Sequence, residues 1–317
     1  MIPDHVRALL RCPVSGDSLE PLEPWLFHSV SPDLLYPLLC ETLILQPRFD
    51  LLVQRFGQAL LQTMATFGCD EEAKEWFLAR FGLFHPDPSP KPDLAFVGEG
   101  YPGVLDMIVD ADSELAHLSP FLLNTSEDLI AETIGSHRAA LGLDLGCGCG
   151  GMTYRMAHTC DTVLGLERHC FTAALANWLL KNEEIPVSLI DPEQGPRNYH
   201  YRKEIMENAH VLCADAHALP FSEPLFDWVH LGRLIDVEDE PEDILASVCR
   251  ILKPGGTLSM ISPQDLPHLG HLDRFLENLD ADFTTLHESR NSFWLKPEHS
   301  RKWTLSQEWT WVGKLRK

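Results

Sequence analysis

The chain has 317 residues, 44% of them hydrophobic, and a formal net charge of −22. That apolar content supplies a core, the length predicts two domains, and no stretch is long and apolar enough to span a bilayer. The acidity repels phosphate backbones and forfeits counterion release, so composition argues against a nucleic acid and for a small-molecule partner.

The opening MIPDHVRALLRCP places charges where a signal peptide needs a continuous apolar segment, which predicts a cytoplasmic protein. Cys12-Pro13-Val14-Ser15 follows, with Ser15 where a metal knuckle would need a second thiol. The nine cysteines are odd in number and scattered, which fits a reducing compartment, and the histidines show no ligand spacing. No metal site is expected. PDLLYPLLCETLIL, RFDLLVQRFGQALLQTMATF and DEEAKEWFLARFGLF carry apolar residues at spacings of three and four, which predicts three helices. HPDPSPKPD, from His85 to Asp93, breaks the pattern with four prolines and reads as a linker. The predicted organisation is a mainly helical N-terminal domain with its Pro-rich linker over residues 1–92, then a second domain over 93–317.

In that second part TSEDLIAETIGSH, with Thr125 or Ser126 as cap, predicts a short helix leading into a buried strand, ALGLDLG. The strand runs into the glycine turn of LDLGCGCGG, Leu143 to Gly151. Gly146, Gly148 and Gly150 allow the loop to bend and its backbone to approach a ligand, Asp144 stands at the mouth as an acceptor, and Cys147 is a small side chain that fits the turn. MTYRMAHTC reads as a helix, and TVLGLE as a second strand ending in Glu167, an acid placed to accept from two ribose hydroxyls. Because Gly146, Gly148 and Gly151 also satisfy GxGxxG, a nicotinamide dinucleotide fits equally well at this point. After the helix FTAALANWLLKNEE, the stretch IPVSLIDPEQGPRNYHYRKEIMENA reads as a long loop whose Tyr199, His200 and Tyr201 cover a substrate. HVLCADAHALPF then predicts a strand with Asp215 and Ala216 at its end. FDWVHLGRLIDV predicts another, followed by the helix PEDILASVCRIL and by LKPGGTLSMIS, a turn feeding a further strand.

Taken in order, LDLGCGCGG, LGLE, CADAHALPF, FDWVHLGRLIDVEDEPED and ILKPGGTL resemble the class I S-adenosylmethionine-dependent methyltransferases, especially their small-molecule branch, over Leu141 to Ser262. The resemblance implies an α/β fold with a seven-stranded, mostly parallel sheet, helices on both faces and the ligand beyond the carboxyl ends of the strands. It implies that Asp144 and the loop of Gly146, Cys147, Gly148 and Gly150 hold the methionine part of S-adenosylmethionine, and Glu167 the ribose. Asp215 and Ala216 would take the adenine edge, and Leu231 with Gly232 the sulfonium. No NPPY tetrad is present. Asp236, in LIDVED, stands where many small-molecule relatives carry a histidine and is the leading candidate for a general base, with His230 and Arg233 beside it as further catalytic candidates. HVRALLRCPVSGDSLEPL resembles the first half of a small zinc-ribbon module attached to several methyltransferases, without its second ligand. The expected function is methyl transfer to a small molecule. The alternatives are an RNA or protein methyltransferase with an N-terminal recognition domain, an NAD-dependent oxidoreductase, and a catalytically silent cofactor-binding scaffold.

Overall fold

Residues 2–30, 33–81, 126–134, 138–191, 195–263, 269–295 and 304–316 are described by the computed structural model. In chain order the first part holds α1 (Asp4–Arg7), β1 (Glu20–Glu23), β2 (Leu26–Ser29), β3 (Leu34–Leu39), β4 (Thr42–Leu45), α2 (Phe49–Phe67) and α3 (Glu71–Phe81). The second begins with α4 (Ser126–Ile134), β5 (Ala139–Leu145), α5 (Gly151–Ala157), β6 (Cys160–Glu167), α6 (Cys170–Lys181), β7 (Glu184–Asp191) and β8 (Gly195–Arg202). It continues with β9 (Ala209–Ala214), β10 (Phe226–Gly232), α7 (Pro241–Ile251), β11 (Leu252–Pro263), α8 (Leu269–Asp282), β12 (Phe283–Leu295) and β13 (Thr304–Leu315). The linker His85–Asp93 lies outside the described residues.

The strands of the second part set the architecture, because β9 is buried at every position and β5, β6 and β10 over most of their length. Such strands must be covered on both faces, as in a parallel sheet. They pair in parallel in the order β9-β6-β5-β10-β11, and β13 and β12 close that side antiparallel. Side chains alternate between two cores. One packs Val163 and Val211 against α2, α3, α5 and α6; the other packs Leu143, Leu164 and Leu212 against α1, α7 and α8.

Two expectations are corrected here. The sheet has eleven strands rather than seven, in the order β1-β2-β3-β4-β9-β6-β5-β10-β11-β13-β12. The additional four come from residues expected to be mainly helical: β1 to β4 form an antiparallel meander, and only α2 and α3 appear where helices were expected. PDLLYPLLCETLIL is the β3–β4 hairpin. Cys40 and Glu41 turn it with φ of 52° and 59°, the left-handed pair that a two-residue hairpin loop requires. All four residues of β4 are buried, Ile44 on the α2/α3 side and Leu43 and Leu45 on the other, so its apolar run has no two-residue alternation to betray a strand.

The meander joins the central sheet where β4 runs parallel to β9, with Ile44 opposite Cys213 and Leu45 opposite Ala214. Just before that pairing starts, the buried Asn177 side chain accepts from the Val211 N–H at 2.8 Å and donates to its carbonyl at 2.7 Å and to Thr42 Oγ1 at 2.8 Å. A single amide thereby satisfies backbone that would otherwise be buried unpaired. Phe77 of α3 anchors the helical layer, its ring 5.2 Å from Phe81 and 6.3 Å from Phe49.

The stretch expected as a loop after α6 is a β-hairpin, β7–β8, paired from Glu184 opposite Arg202 to Asp191 opposite Gly195 and separate from the main sheet. Backbone of Tyr199, His200 and Tyr201 pairs with Val187, Pro186 and Ile185, while their side chains lie outside what is described. Among the described residues no helix is long and apolar enough to cross a membrane.

Candidate functional site

Neighbouring strands leave β5 in opposite chain directions, β6 and β9 on one side and β10 on the other, which makes its carboxyl end the switch point of the sheet. A cleft of about 200 Å³ opens there, lined by the ends of β6, β9 and β10 and by the turn after β5. It brings together Gly146, Glu167, Asp215, Ala216 and Gly232.

The glycine turn is stitched to the end of β6. Gly146 and Cys147 both donate their N–H to the Leu166 carbonyl at 2.9 Å, and the Gly148 N–H reaches Glu167 Oε2 at 3.2 Å. Gly146 (φ 75°) and Gly150 (φ 84°) occupy the left-handed region, and a Cβ on Gly146 would stand 3.3 Å from Leu234 across the cleft. Gly150 caps α5 and starts it at Gly151. Cys147 turns its thiol inward toward Gly165, and burial pushes the thiol pKa far up.

Asp144 is 2% exposed and does not line the cleft. Thr153 Oγ donates to its Oδ2 at 2.6 Å, so it ties β5 to α5 behind the turn. Burial, with the charges of Glu127 and Glu167 adding to it, raises its carboxyl to about 7. Glu167 is held at both oxygens, accepting from Gly148 N and, at 2.8 Å, from His169 N. Asp215 Oδ1 accepts from His217 N at 3.0 Å. The His217 ring meets Glu238 at 2.8 Å along the rim, and that contact raises its pKa.

At the end of β10, Leu231 is fully buried in the α7/α8 core, and the cleft is lined instead by Gly232 and Arg233. His230 is 1% exposed; its Nδ1 lies 2.9 Å from Ser259 Oγ, which also accepts from Trp228 Nε1 at 2.8 Å, and burial lowers its pKa to about 4. It does not itself line the cleft, but its Nε2 stands 2.8 Å from where a Cβ on the cleft residue Gly232 would be.

Arg233, at the end of β10, holds two carboxylates of this chain through its guanidinium. Nε donates to Glu308 at 2.6 Å and Nη1 to Glu127 at 2.7 Å, and Ser126 Oγ donates to the other Glu308 oxygen at 2.7 Å. This array braces α4 and β13 against the end of β10. Burial raises the Glu127 pKa, but the charges of Arg233 and Arg155 outweigh it and bring it to about 2. Glu308, deeper at 1% exposed, is raised by burial. Neither acid belongs to a motif. The one signal in the sequence is a glutamate inside the apolar strand QEWTWV.

Asp236 sits in a 3-10 turn, Ile235–Val237; its neighbours Leu234 and Val237 line the cleft and Asp236 itself does not. Its Oδ1 is buried without a hydrogen-bond partner among the described residues, and burial raises its pKa. A buried carboxylate oxygen left unpaired is expensive, which marks it as a group prepared for a ligand or a proton.

Residues 143–260 match the family model described as a methyltransferase domain. Over 59 residues the chain is 39% identical to the ubiquinone/menaquinone biosynthesis C-methyltransferase UbiE of Erwinia tasmaniensis, a match spanning 19% of this chain and 24% of that protein. Among solved structures, the N-methyltransferase NodS of Bradyrhizobium japonicum with S-adenosyl-L-homocysteine superposes at a TM-score of 0.45 and 14% identity, covering 69% of this chain and all of that one. The YcgJ protein of Bacillus subtilis superposes at 0.46 and 13%, covering 61% and 98%.

Proposed function

We propose that the methyltransferase domain moves a methyl group from S-adenosylmethionine to a small-molecule acceptor at the cleft beyond β5. The observation that carries this reading is the placement of two acids, Glu167 and Asp215, at the ends of adjacent strands in one cleft, flanked by Gly146 and Gly232. The residues fit the group. Each Glu167 oxygen accepts one backbone N–H and keeps a lone pair for a ribose hydroxyl, and Asp215 keeps Oδ2 for an adenine amine. Gly146 and Gly232 keep backbone at the cleft wall, since a Cβ on Gly146 would stand 3.3 Å from Leu234 and one on Gly232 would meet His230 Nε2 at 2.8 Å.

When bound, S-adenosylmethionine supplies an activated methyl group, so alignment of the acceptor provides much of the rate. The protein's task is to orient and to exclude water. Glu127, Arg233 and Glu308 fix the end of β10, and Leu234 and Val237 form the wall beside it. Asp236, with one oxygen unsatisfied, takes the proton when the acceptor must lose one. The net charge of −22 supports a small acceptor over a nucleic acid.

Parallel calorimetric titrations with S-adenosylmethionine, S-adenosylhomocysteine and NADH test the proposal. Binding of the two sulfur compounds and not of NADH is expected, with labelled methyl appearing on a small-molecule acceptor in a subsequent screen. NADH binding alone overturns it.

A further inference from the structure

Behind the two acids of the cleft lies a pair of cysteines that the methyl-transfer reading does not use. Cys213 stands opposite Glu167 in the β6–β9 ladder and two residues before Asp215. Cys170 opens α6, three residues after Glu167. Their sulfurs are 2.8 Å apart, closer than two thiols sit in ordinary contact and short of the ~2.05 Å of a disulfide. Cys213 is fully buried and Cys170 partly exposed, which makes Cys170 the nearer of the two to solvent. Around them, Gln46 Nε2 donates to Cys213 Sγ at 3.7 Å, and the Cys213 thiol points to the Arg168 carbonyl at 3.5 Å. Arg168 and His169, which join the ribose acid to Cys170, are themselves walls of the cleft.

We infer that Cys170 and Cys213 form a reversible disulfide under peroxide, and that this bond governs the cleft by tying together the strand ends that carry Glu167 and Asp215. As thiolate, the Cys170 sulfur attacks one peroxide oxygen; the O–O bond breaks, giving a sulfenic acid at Cys170 and one water. The Cys213 sulfur then attacks the Cys170 sulfur, the S–S bond forms, the S–O bond breaks, and a second water leaves with the remaining proton. In sum, two thiols lose two electrons and two protons to one peroxide, which becomes two waters. A thiol donor reverses the bond. Such transient pairs are the use that disulfides find in reducing compartments.

Closing the sulfurs from 2.8 Å to bonding distance draws the first turn of α6 toward β9 and displaces the backbone between Glu167 and Cys170. The effect on the cofactor rests on the methyl-transfer reading of the cleft; the crosslink does not. Two linked equilibria must couple reciprocally, so oxidation weakens S-adenosylhomocysteine binding and bound S-adenosylhomocysteine resists oxidation by the same factor, roughly 5- to 150-fold as couplings between sites generally run.

The full-length protein is titrated with hydrogen peroxide, quenched by alkylation, and mapped by mass spectrometry without reduction, alongside Cys170→Ser, Cys213→Ser and Cys40→Ser. Cys40 lines the same small cavity as Cys170 and is the competing partner. The expected result is one Cys170–Cys213 crosslink, removed by dithiothreitol, absent from the first two variants and retained in Cys40→Ser. Calorimetry then shows weakened S-adenosylhomocysteine binding in the oxidised protein and restored binding after reduction. Over-oxidation of Cys170 without a crosslink, a Cys170–Cys40 bond, or unchanged affinity in the fully crosslinked protein overturns the inference. A crosslink in a protein whose reduced form binds no S-adenosylhomocysteine refutes the methyl-transfer reading and leaves the disulfide standing.

Discussion

Replacing Asp144 with asparagine should make the protein more stable at neutral pH and flatten part of its pH dependence. Asp144 is 2% exposed and its carboxyl titrates at about 7 in the folded chain, against 3.8 ordinarily, chiefly through burial. A carboxyl raised on folding contributes stability that is fully present below the unfolded pKa and is lost as pH rises through the folded one. The window here runs from about pH 4 to about pH 7. A rise of about three pKa steps, each worth about 1.4 kcal/mol, places the loss near 4 kcal/mol. Asparagine is neutral throughout and can still accept the Thr153 hydroxyl, so the variant keeps the tie between β5 and α5 and loses the titration. Urea unfolding followed by tryptophan fluorescence, at half-unit steps from pH 4 to 8, gives both curves. The stability of Asp144→Asn relative to the parent should climb with pH by about 4 kcal/mol and level off above pH 7. Parallel curves across that range would refute the reasoning, because they would mean that Asp144 is ionised inside the sheet at little cost.

Three further outcomes can be checked. Glu167→Gln should weaken S-adenosylhomocysteine binding by about 1–3 kcal/mol in calorimetry, since the site loses a charged acceptor and the amide nitrogen cannot accept one of the two N–H groups of Gly148 and His169; unchanged affinity removes Glu167 from the site. Asp236→Asn should lower turnover and abolish the acid limb of its pH profile at unchanged S-adenosylhomocysteine affinity; unchanged turnover removes Asp236 from the mechanism. Phe77→Ala, truncating a fully buried ring packed against Phe49 and Phe81, should destabilise the protein by about 3–5 kcal/mol in urea unfolding, and a smaller loss would mean that α3 is only loosely held to the sheet.

The central strands and their glycine turn were legible because strands buried on both faces read as continuous apolar runs, and because the acids at their ends fall at fixed distances from the glycines. The same property misled in β3 and β4. Where nearly every residue is apolar, a spacing of three and four is satisfied without a helix, and the Cys40–Glu41 turn carries none of the asparagine or glycine that announces a tight hairpin. β7 and β8 were hidden for the opposite reason, since their polar residues show no clean alternation. In the site, the cleft acids could be named from their strand ends. The Glu127–Arg233–Glu308 array could not, because its members are brought together from three elements by tertiary packing alone. Asp144 was read as lining the mouth because its position beside the turn is visible in sequence, whereas the direction of its side chain, fixed by Thr153 in the first turn of α5, is not.

The parallel seam between β4 and β9 has a consequence for synthesis. Ile44 must find Cys213, so the meander leaves the ribosome about 170 residues ahead of its partner, an interval on the order of ten to thirty seconds at ordinary elongation rates. Throughout that interval β4 is an unprotected sheet edge with four apolar or half-apolar residues, and β9, once made, is another. Each strand is the other's guard against pairing with a neighbouring chain. Cutting the protein between its two parts would therefore release two sticky edges, and aggregation of either fragment, more than loss of any cofactor contact, is what such a division should produce.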